Sequence, residues 1–335
     1  MRISKNKSLK KLNAFKLDIF ASEFIELKTI DDFYKNIDKI SKKDKKLIIG
    51  DATNILFLND FNGLIIKNSI KGINIIDINL GLIKVFSGEI WNDFVYFAVK
   101  NEFGGGIENL AKIPGRVGSG IVQNIGAYGV EIKDLLVSVE AYSFENNKTI
   151  TFKKEELNFD YRSSFFKKNN EKYFIISAIF KLKNKPKSFI LDYGNIKNNL
   201  KKIDKLTPLI IAQTISKIRE NKLPDYKEIG NCGSFFKNPV INYTLFNSLK
   251  SKYKNIPSYK INEESVKIPA AWLIEEAGLK GFELNGAAVY ENHALILINK
   301  NDATSNDIKN LSDKIINKVF EKFKIKLTPE VIFIS

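Results

Sequence analysis

The sequence predicts an α+β protein built from more than one domain. Three observations support this fold class. The chain has 335 residues and 44% hydrophobic side chains, enough to bury a sizeable core. Short strand-like segments dominate its first part. Segments with helical periodicity follow, without a regular alternation of strands and helices, so a doubly wound parallel sheet is not expected.

Strands in the first part of the chain are indicated by apolar, β-branched segments that end at turn residues. Such segments lie at residues 46–49, 63–67, 73–78 and 82–86. Residues 91–100 instead carry apolar side chains at helical spacing and stop shortly before three glycines at 104–106. This pattern predicts a helix.

The later part of the chain combines a hairpin signal with helices. Two apolar stretches flank Glu145-Asn146-Asn147 within residues 136–152 and predict a β-hairpin. Further elements are expected as a strand over 173–182, helices from about 207 to 222 and over 270–277, and a last helix beginning at Thr304. Asp307 is the expected capping partner of that helix, whose apolar face consists of Ile308, Leu311, Ile315 and Val319.

The charge balance is strongly basic, with 53 Lys and Arg against 38 Asp and Glu. A net charge of +15 is compatible with binding nucleic acid or small polyanions. The lysines are spread from end to end and accompany many Asn and Ile residues, as expected of solvated faces encoded by an A/T-rich genome. We therefore expect a modest attraction for anionic substrates and no nucleic-acid partner.

Cysteine and histidine are scarce, and this scarcity bears on the cellular compartment of the protein and on the kinds of site it can form. Cys232 is the single cysteine and His293 the single histidine. An unpaired thiol favours a reducing compartment, and the Lys-rich start lacks the apolar segment of a signal peptide, so we expect a cytoplasmic protein. The longest apolar runs are far too short to span a bilayer, and no metal site is expected.

Residues 113–129 form a glycine-rich stretch with glycines at 115, 118, 120, 126 and 129. Glycine permits positive φ and close approach of backbone N–H groups to a diphosphate. The stretch is neither a Walker A loop nor a GxGxxG turn. On its glycine spacing alone, structural turns are favoured over a phosphate-binding loop.

The residue identities in this stretch, rather than the glycine spacing, resemble those of a known family. GIENLAKIPG at 106–115 and QNIGAYGVE at 123–131 closely resemble the flavin-binding segment of the UDP-N-acetylenolpyruvoylglucosamine reductases. Further similar motifs follow in the family's order: GDATNIL at 50–56, YRSSFFK at 161–167, KLPD at 222–225, GSFFKNP at 233–239, AWLIEEAGLKG at 271–281 and LTPEV at 327–331. The resemblance extends from about Asn13 to Ile334.

The resemblance implies a three-part flavoenzyme with an FAD-binding domain of the vanillyl-alcohol-oxidase type and a separate α+β substrate-binding domain. The expected divisions are 1–69 with 319–335, 70–218, and 219–318. FAD would be bound without a covalent link, and NADPH would supply hydride for reduction of an enolpyruvyl ether on UDP-N-acetylglucosamine to UDP-N-acetylmuramate. A monomer is expected.

The family's functional residues map onto three groups in this chain. By similarity, Arg162 is the cation for the substrate carboxylate, Ser234 the proton donor and Glu330 the stabiliser of the enolate. The cofactor group is Gly50, Asp51, Ala52, Thr53, Asn54, Ile55, Ile113, Pro114, Gly115, Gly118, Ser119, Gly120, Gln123, Asn124, Gly126, Ala127 and Tyr128. The substrate group is Tyr193, Arg219, Lys222, Asn238 and Lys280, with Tyr193 on the mobile loop of one family subtype.

Four positions depart from the family pattern. Asp51 and Ala52 occupy a loop that is commonly richer in glycine, so Ala52 must adopt a conformation it tolerates or shift the loop. Ile121 stands where proline is common, and Ala14 where threonine is common. These differences bear on the geometry of the flavin loops.

Two alternative functions remain open from the sequence. Another flavin oxidoreductase could share the FAD-binding domain, although covalent flavin usually attaches through His or Cys, and neither lies in the flavin segments. A basic nucleic-acid-binding protein would need clustered basic residues with aromatic side chains for stacking. Colour separates these classes, because a flavoenzyme is yellow when purified.

Overall fold

The computed structural model describes residues 2–335. In this range the helices are α1 Ile30–Ser41, α2 Trp91–Lys100, α3 Val117–Gln123, α4 Phe165–Lys168, α5 Ile196–Leu200, α6 Pro208–Glu220, α7 Tyr243–Lys252, α8 Ala270–Glu276 and α9 Ser305–Phe323. The strands are β1 Ser4–Ser8, β2 Phe20–Leu27, β3 Lys46–Ile49, β4 Ile55–Phe57, β5 Phe61–Asn68, β6 Ile73–Asp77, β7 Leu82–Phe86, β8 Phe103–Gly104, β9 Gly126–Ala127, β10 Val130–Glu131, β11 Leu136–Ser143, β12 Lys148–Lys153, β13 Tyr173–Lys181, β14 Lys183–Asn184, β15 Gly230–Ser234, β16 Val240–Asn242, β17 Tyr259–Lys260, β18 Ser265–Lys267, β19 Glu283–Leu284, β20 Ala287–Val289, β21 Ile296–Asn299 and β22 Ile332–Ile334. The mixture is the predicted α+β class.

The chain forms two compact units. The first contains the residues up to Lys7, Ala21–Asp51 and Asn62–Asn221. The second contains Ser8–Phe20, Ala52–Phe61 and Lys222–Ser335. Residues 319–335 thus belong to the same unit as residues 222–318, and the division into three parts stays a prediction.

The first unit is built around a five-stranded sheet in the order β12-β11-β13-β7-β6, in which neighbouring strands are antiparallel. Helices α2 and α6 pack with this sheet's core, where the rings of Trp91, Phe94 and Phe180 contact one another. The indole N–H of Trp91 donates to the carbonyl of Leu110 at 3.0 Å. The indole therefore buries its area with its polar atom satisfied.

The first unit also holds a four-stranded sheet, β1-β2-β5-β3, in which β3 runs parallel to β5. Helix α1 begins at the N-cap Thr29, which forms a capping box with Asp32. Its buried Phe33 stacks on Phe174 and meets Tyr142 edge-on. This second cluster fixes α1 to the sheets.

The second unit contains the sheet β15-β21-β20-β19 and the pair β4 and β22, which are parallel. Helix α9 begins after Thr304, with Asp307 completing a capping box, and its four predicted apolar residues are all buried. The strand β22 pairs with β4, which begins at Ile55 in the first predicted flavin segment. The prediction for α9 is confirmed.

The predicted elements agree with the structure over most of the chain. Helix α2 has the predicted bounds, and strands β11 and β12 form the hairpin expected around residues 145–147. Helix α3, inside the glycine-rich stretch, was not predicted. No helix among residues 2–335 is long and apolar enough to cross a membrane.

Candidate flavin and substrate site

The first predicted flavin segment meets the second through Gly50, Asp51 and Arg116. Arg116 Nε donates to Asp51 Oδ1 at 2.7 Å, and its Nη1 donates to the carbonyl of Gly88 at 2.5 Å. A Cβ placed on Gly50 would lie 3.2 Å from Arg116 Cδ. Gly50 and Asp51, the start of the first segment, thus lie beside Arg116 of the second segment in the first unit.

Ala52, which departs from the family pattern, adopts the backbone conformation that glycine would favour at this position. Its φ is 46°, in the left-handed region, and the residue is 4% exposed. A non-glycine residue pays roughly 1–2 kcal/mol for this conformation. The loop therefore keeps a turn suited to glycine while carrying a side chain.

The rest of the first segment is bonded inside the second unit. Asn54 Nδ2 donates to the carbonyl of Glu330 at 3.2 Å. The Cys232 thiol donates to the carbonyl of Ile55 at 3.4 Å, and burial raises the pKa of this thiol. Cys232 is therefore a neutral structural thiol. Thr53 is half-buried beside this network.

The second predicted flavin segment is not the open loop that its glycines suggest, because α3 occupies its centre. Gly118 N donates to the carbonyl of Ser87 at 2.8 Å, and Gly120 N to that of Arg116 at 2.9 Å. These two amides have protein partners within the first unit. Ser119 Oγ likewise bonds back to the carbonyl of Arg116 at 2.8 Å.

Both ends of α3 have exceptional backbone geometry. Before it, Gly115 has φ 106°, and after it Asn124 has φ 46° and Tyr128 φ 49°. Gly126 and Ala127 form β9, which pairs with β10. The other members of the predicted cofactor group are half-buried Ile113, exposed Pro114 and buried Gln123.

Arg162 lies against the end of the second flavin segment. Its Nη2 donates to the carbonyl of Gly126 at 2.9 Å and its Nη1 to that of Asn124 at 3.3 Å. The guanidinium also lies over the Tyr161 ring, and the residue has φ 54°. Side-chain and backbone constraints together fix the guanidinium next to residues 124–126.

Ser234 has a different environment from the one expected. Its neighbours Phe235 and Phe236 are typical of an apolar, buried setting, but the side chain of Ser234 is exposed. The neighbouring Phe235 and Phe236 are the buried residues, and Gly233 turns the strand with φ 66°. Because the two phenylalanines anchor the strand, Ser234 is presented at its surface.

Glu330 is brought close to Ser234 by backbone bonding in the second unit. Glu330 N donates to the carbonyl of Phe235 at 2.7 Å, and Pro329 forms an isolated bridge with Phe236. The carboxyl is half-buried. Two of the three predicted catalytic residues therefore lie on adjacent, directly bonded segments.

Tyr193 and Arg219, from the predicted substrate group, both lie beside the end of the second flavin segment. A Cβ at Gly129 would lie 2.2 Å from the Tyr193 ring, so this ring rests on the glycine backbone. Arg219 is hydrogen-bonded to the Tyr128 hydroxyl. Burial raises the pKa of Tyr128 and lowers that of Arg219, while their contact opposes both shifts.

The remaining residues of the predicted substrate group lie in the second unit, and they differ in whether their side chains bond to neighbouring residues. Asn238 Oδ1 accepts from Ala270 N at 2.9 Å, at the start of α8. Lys280 pairs with Glu275 at 2.8 Å. Lys222 is exposed. Asn238 and Lys280 therefore have local partners that a nucleotide would have to share or displace.

Three residues of this region were not among the predicted site residues. Arg116 pairs with Asp51, Lys167 Nζ donates to Gln123 Oε1 at 2.8 Å, and Asn109 Nδ2 donates to the carbonyls of Tyr128 and Ile190. Each lies inside or next to a quoted motif. Their hydrogen-bond partners are distant in sequence, so the only sequence signal for these residues is their position within or next to a motif.

Among residues 2–335, no group of three or more His, Cys, Asp and Glu side chains is arranged to hold a metal ion. The donors near the flavin segments are amides, hydroxyls and guanidinium groups. Such donors suit phosphate and carboxylate groups better than a metal cation.

Two protein families match the chain. The family described as UDP-N-acetylenolpyruvoylglucosamine reductase, C-terminal domain, matches residues 224–334. The FAD binding domain family matches residues 22–152, which include both predicted flavin segments. The two matches fall largely in different compact units.

Individual relatives match over almost the whole length. The chain is 41% identical to a UDP-N-acetylenolpyruvoylglucosamine reductase of Flavobacterium johnsoniae over 99% of both sequences. It is 42% identical to that of Buchnera aphidicola, covering 98% of this chain and 95% of the relative.

Solved structures share the fold. The UDP-N-acetylenolpyruvylglucosamine reductase of Thermus caldophilus aligns over 100% of both chains, with a TM-score of 0.71 and 20% identity. p-Cresol methylhydroxylase with substrate bound aligns over 98% of this chain and 84% of its own, with a TM-score of 0.53 and 11% identity. These likenesses agree with the predicted type of FAD-binding domain.

Proposed function

Because the chain belongs to the UDP-N-acetylenolpyruvoylglucosamine reductase family, we propose that it reduces UDP-N-acetylglucosamine enolpyruvate to UDP-N-acetylmuramate, a step of peptidoglycan precursor synthesis. The observation that carries this proposal is the 41% identity over nearly the entire chain. We further propose that NADPH is the hydride donor and that the enzyme is a cytoplasmic monomer.

The two flavin segments fit a bound FAD. The Gly50 and Arg116 contact keeps the segments adjacent, and Arg116 neutralises the Asp51 carboxylate, which would otherwise repel a diphosphate. Positive φ at Ala52, Asn124 and Tyr128 provides sharp turns of the backbone. When bound, FAD would carry hydride from NADPH to the enolpyruvyl double bond.

Arg162 is the proposed cation for the substrate carboxylate. A guanidinium has five N–H donors, so the bonds to the Asn124 and Gly126 carbonyls fix its plane without using all of them. Negative charge develops beside the carboxylate as hydride arrives. A guanidinium held in advance stabilises this charge without reorganising.

Ser234 is the proposed proton donor to the carbon that gains negative charge. Its exposed hydroxyl lies between a flexible glycine and two buried rings, so its backbone is held while the side chain stays accessible. A serine hydroxyl is a weak acid. We assign Lys222 to stabilise the alkoxide as the proton leaves.

Glu330 is the proposed stabiliser of the enolate. Its backbone bond to Phe235 ties it to the segment that carries Ser234. In protonated form the carboxyl would donate a hydrogen bond to the developing enolate.

The nucleotide is proposed to contact Tyr193, Arg219, Lys222, Asn238 and Lys280. Cations and amides are suitable partners for a diphosphate and a sugar. The local bonds of Asn238 and Lys280 support positioning of both side chains before the nucleotide arrives.

The test is flavin identification followed by an NADPH oxidation assay with and without the enolpyruvyl nucleotide. The proposed function predicts a yellow protein whose steady NADPH oxidation requires the nucleotide and yields UDP-N-acetylmuramate. A yellow protein that ignores the nucleotide would indicate another flavin oxidoreductase. A colourless protein retained on DNA at physiological salt would indicate the nucleic-acid-binding alternative.

A further inference from the structure

The side chain of Asn109 joins two segments that are far apart in sequence. Its Nδ2 donates to the carbonyl of Tyr128 at 2.9 Å and to that of Ile190 at 2.8 Å. Tyr128 lies at the end of the second flavin segment, and Ile190 lies three residues before Tyr193. One amide group therefore connects the flavin segment to the loop that carries Tyr193.

Two other contacts link the same segments. The Tyr193 ring rests on Gly129, and a Cβ at Gly194 would lie 3.2 Å from the Tyr128 ring. Tyr193 itself is 50% exposed. The loop thus touches the flavin segment by one aromatic ring and by backbone, while Phe189 and Leu191, on either side of Ile190, are half-buried against the core of the first unit.

Asn109 itself is firmly held. It is 0% exposed, within a 3₁₀ turn, Ile107–Leu110, whose four residues are all buried. Glu108 supports the preceding turn by accepting from Gly106 N at 3.1 Å. Among residues 2–335, the Oδ1 atom of Asn109 has no hydrogen-bond partner, so its two N–H bonds are what orient the amide.

We propose that Asn109 is a positioning residue that fastens the Tyr193 loop to the second flavin segment. Opening the loop breaks the bond to Ile190 and leaves the buried amide of Asn109 without one partner, which is unfavourable. Asn109 therefore sets the fraction of molecules whose loop is docked. The inference rests on the proposed function in one respect, the role of Tyr193 in binding the nucleotide.

The nucleotide binds the conformation in which the Tyr193 loop is docked. A smaller docked fraction then raises the apparent dissociation constant in inverse proportion. Reduction of the flavin by NADPH involves no nucleotide-sugar and is not expected to change. The effect of Asn109 should consequently appear in the KM for the nucleotide.

Asn109→Asp is the sharpest variant because the two side chains have nearly the same shape. The carboxylate has no N–H group and would face two carbonyl oxygens. Asn109→Ser is the second variant, since it removes both amide N–H donors without burying a charge. Asn101→Asp is the matched control: that exposed amide also donates to a carbonyl, of Phe97 at 2.8 Å, but lies at the C-terminal end of α2, as its C-cap.

Limited digestion with trypsin measures loop docking independently of activity. Cleavage after the exposed Lys187, followed by mass spectrometry, reports opening of the loop when opening is fast relative to cleavage. We expect cleavage up to about tenfold faster in both Asn109 variants, the upper range for losing the one hydrogen bond, to Ile190, that loop docking forms. Asn101→Asp should be cleaved at the parent rate. Parent-like cleavage in both Asn109 variants, with normal flavin absorbance and a parent KM for the nucleotide, would overturn the proposal.

Steady-state kinetics provides the second readout. The KM for the nucleotide should rise by the factor by which the docked fraction falls, so that the rise in KM multiplied by the rise in cleavage rate comes to about tenfold, while the rate of flavin bleaching by NADPH alone should remain unchanged. A lowered KM, or parent values of both KM and cleavage rate, would overturn the positioning role. If the parent protein does not reduce the nucleotide, the proposed function is wrong, and the cleavage rate alone decides whether Asn109 holds the loop.

Discussion

Arg116 and Asp51 form a largely buried ion pair, with 2.7 Å between Nε and Oδ1, that joins the two predicted flavin segments. A buried carboxylate without its partner is strongly unfavourable, and it would be more so next to a diphosphate. The pair explains how the loop tolerates an acidic residue at position 51. It also makes the two segments depend on each other.

Arg116→Gln should weaken FAD binding by about tenfold to a hundredfold, because it leaves the Asp51 carboxylate uncompensated. The double variant Asp51→Asn, Arg116→Gln should recover part of this loss, since it removes both charges. Titration of the apoprotein followed by flavin fluorescence measures the affinity. Lys309→Gln, which breaks an exposed pair with Asp313, is the control and should bind FAD normally. Equal affinity of the single and double variants would contradict the charge argument.

All the flavin should be released by heat or acid. Neither predicted flavin segment contains His or Cys, and Cys232 is buried with a raised pKa, which makes it a poor nucleophile. Absorbance of the supernatant and pellet after denaturation measures the release. Flavin that stays with the denatured chain would contradict this expectation.

Tyr193→Phe should mainly weaken nucleotide binding. The substitution keeps the ring that rests on Gly129 and removes only the hydroxyl. We expect the KM for the nucleotide to rise about tenfold, the range for one lost hydrogen bond to a charged group. Tyr259→Phe, at another exposed tyrosine, is the control. A comparable loss in NADPH-driven flavin reduction would argue against a role specific to the nucleotide.

Ser234→Ala should separate the two half-reactions. The variant should stay yellow and bleach with NADPH at close to the parent rate, because that step needs no proton on a substrate carbon. Recovery of flavin absorbance after addition of the nucleotide should slow by about 10²- to 10⁴-fold, the range for a positioned general acid. Stopped-flow absorbance measures both steps, with Ser251→Ala as control. Recovery at the parent rate would transfer the proton-donor role to another group, with Glu330 as the first candidate.

Glu108→Gln should change how stability depends on pH. Burial raises the pKa of Glu108 above its ordinary value, although nearby backbone N–H groups and Lys183 oppose the shift. The folded state therefore holds this proton more tightly than the unfolded chain, and the parent loses stability as pH rises from the unfolded pKa through the folded pKa. Glutamine cannot ionise, so the variant should gain relative to the parent over that window.

Thermal unfolding midpoints of parent and Glu108→Gln at about pH 5 and about pH 8 measure this difference. Glu171→Gln, at an exposed position, controls for the loss of one surface charge. The same offset between Glu108→Gln and the parent at both pH values would show that Glu108 does not titrate as its burial implies.

Most helices and strands could be predicted because local signals agreed with the tertiary structure. Helix α9 has a capping box and an apolar face, and α2 has helical spacing that stops near glycines. Helix α3 could not be predicted, since Gly118 and Gly120 have low helix propensity. A Cβ at Gly118 would lie 2.9 Å from Ser87 Cβ, so glycine is required there by close packing. Tertiary contact thus outweighs propensity at α3.

The residues of the candidate site could be predicted from sequence motifs, but the hydrogen bonds and ion pairs between them could not. Similarity named Ser234 and Glu330, and the bond from Glu330 N to the Phe235 carbonyl brings their segments together. Nothing local in the sequence pairs Asp51 with Arg116, or Asn109 with Ile190, because partners so distant in sequence meet only after folding. The exposure of Ser234 was also unpredictable, since its two apolar neighbours suggested burial.

The parallel pairing of β22 with β4 has a consequence for protein synthesis. Ile55 lies opposite Ile332, so almost the entire chain is translated between the two partners. At roughly 5–20 residues per second, the nascent β4 waits about 15 to 55 s for β22. During this time the segment Ala52–Phe61 lacks its final neighbour on the ribosome. Its turn, and any flavin contact that depends on it, can be completed only after β22 has been synthesised.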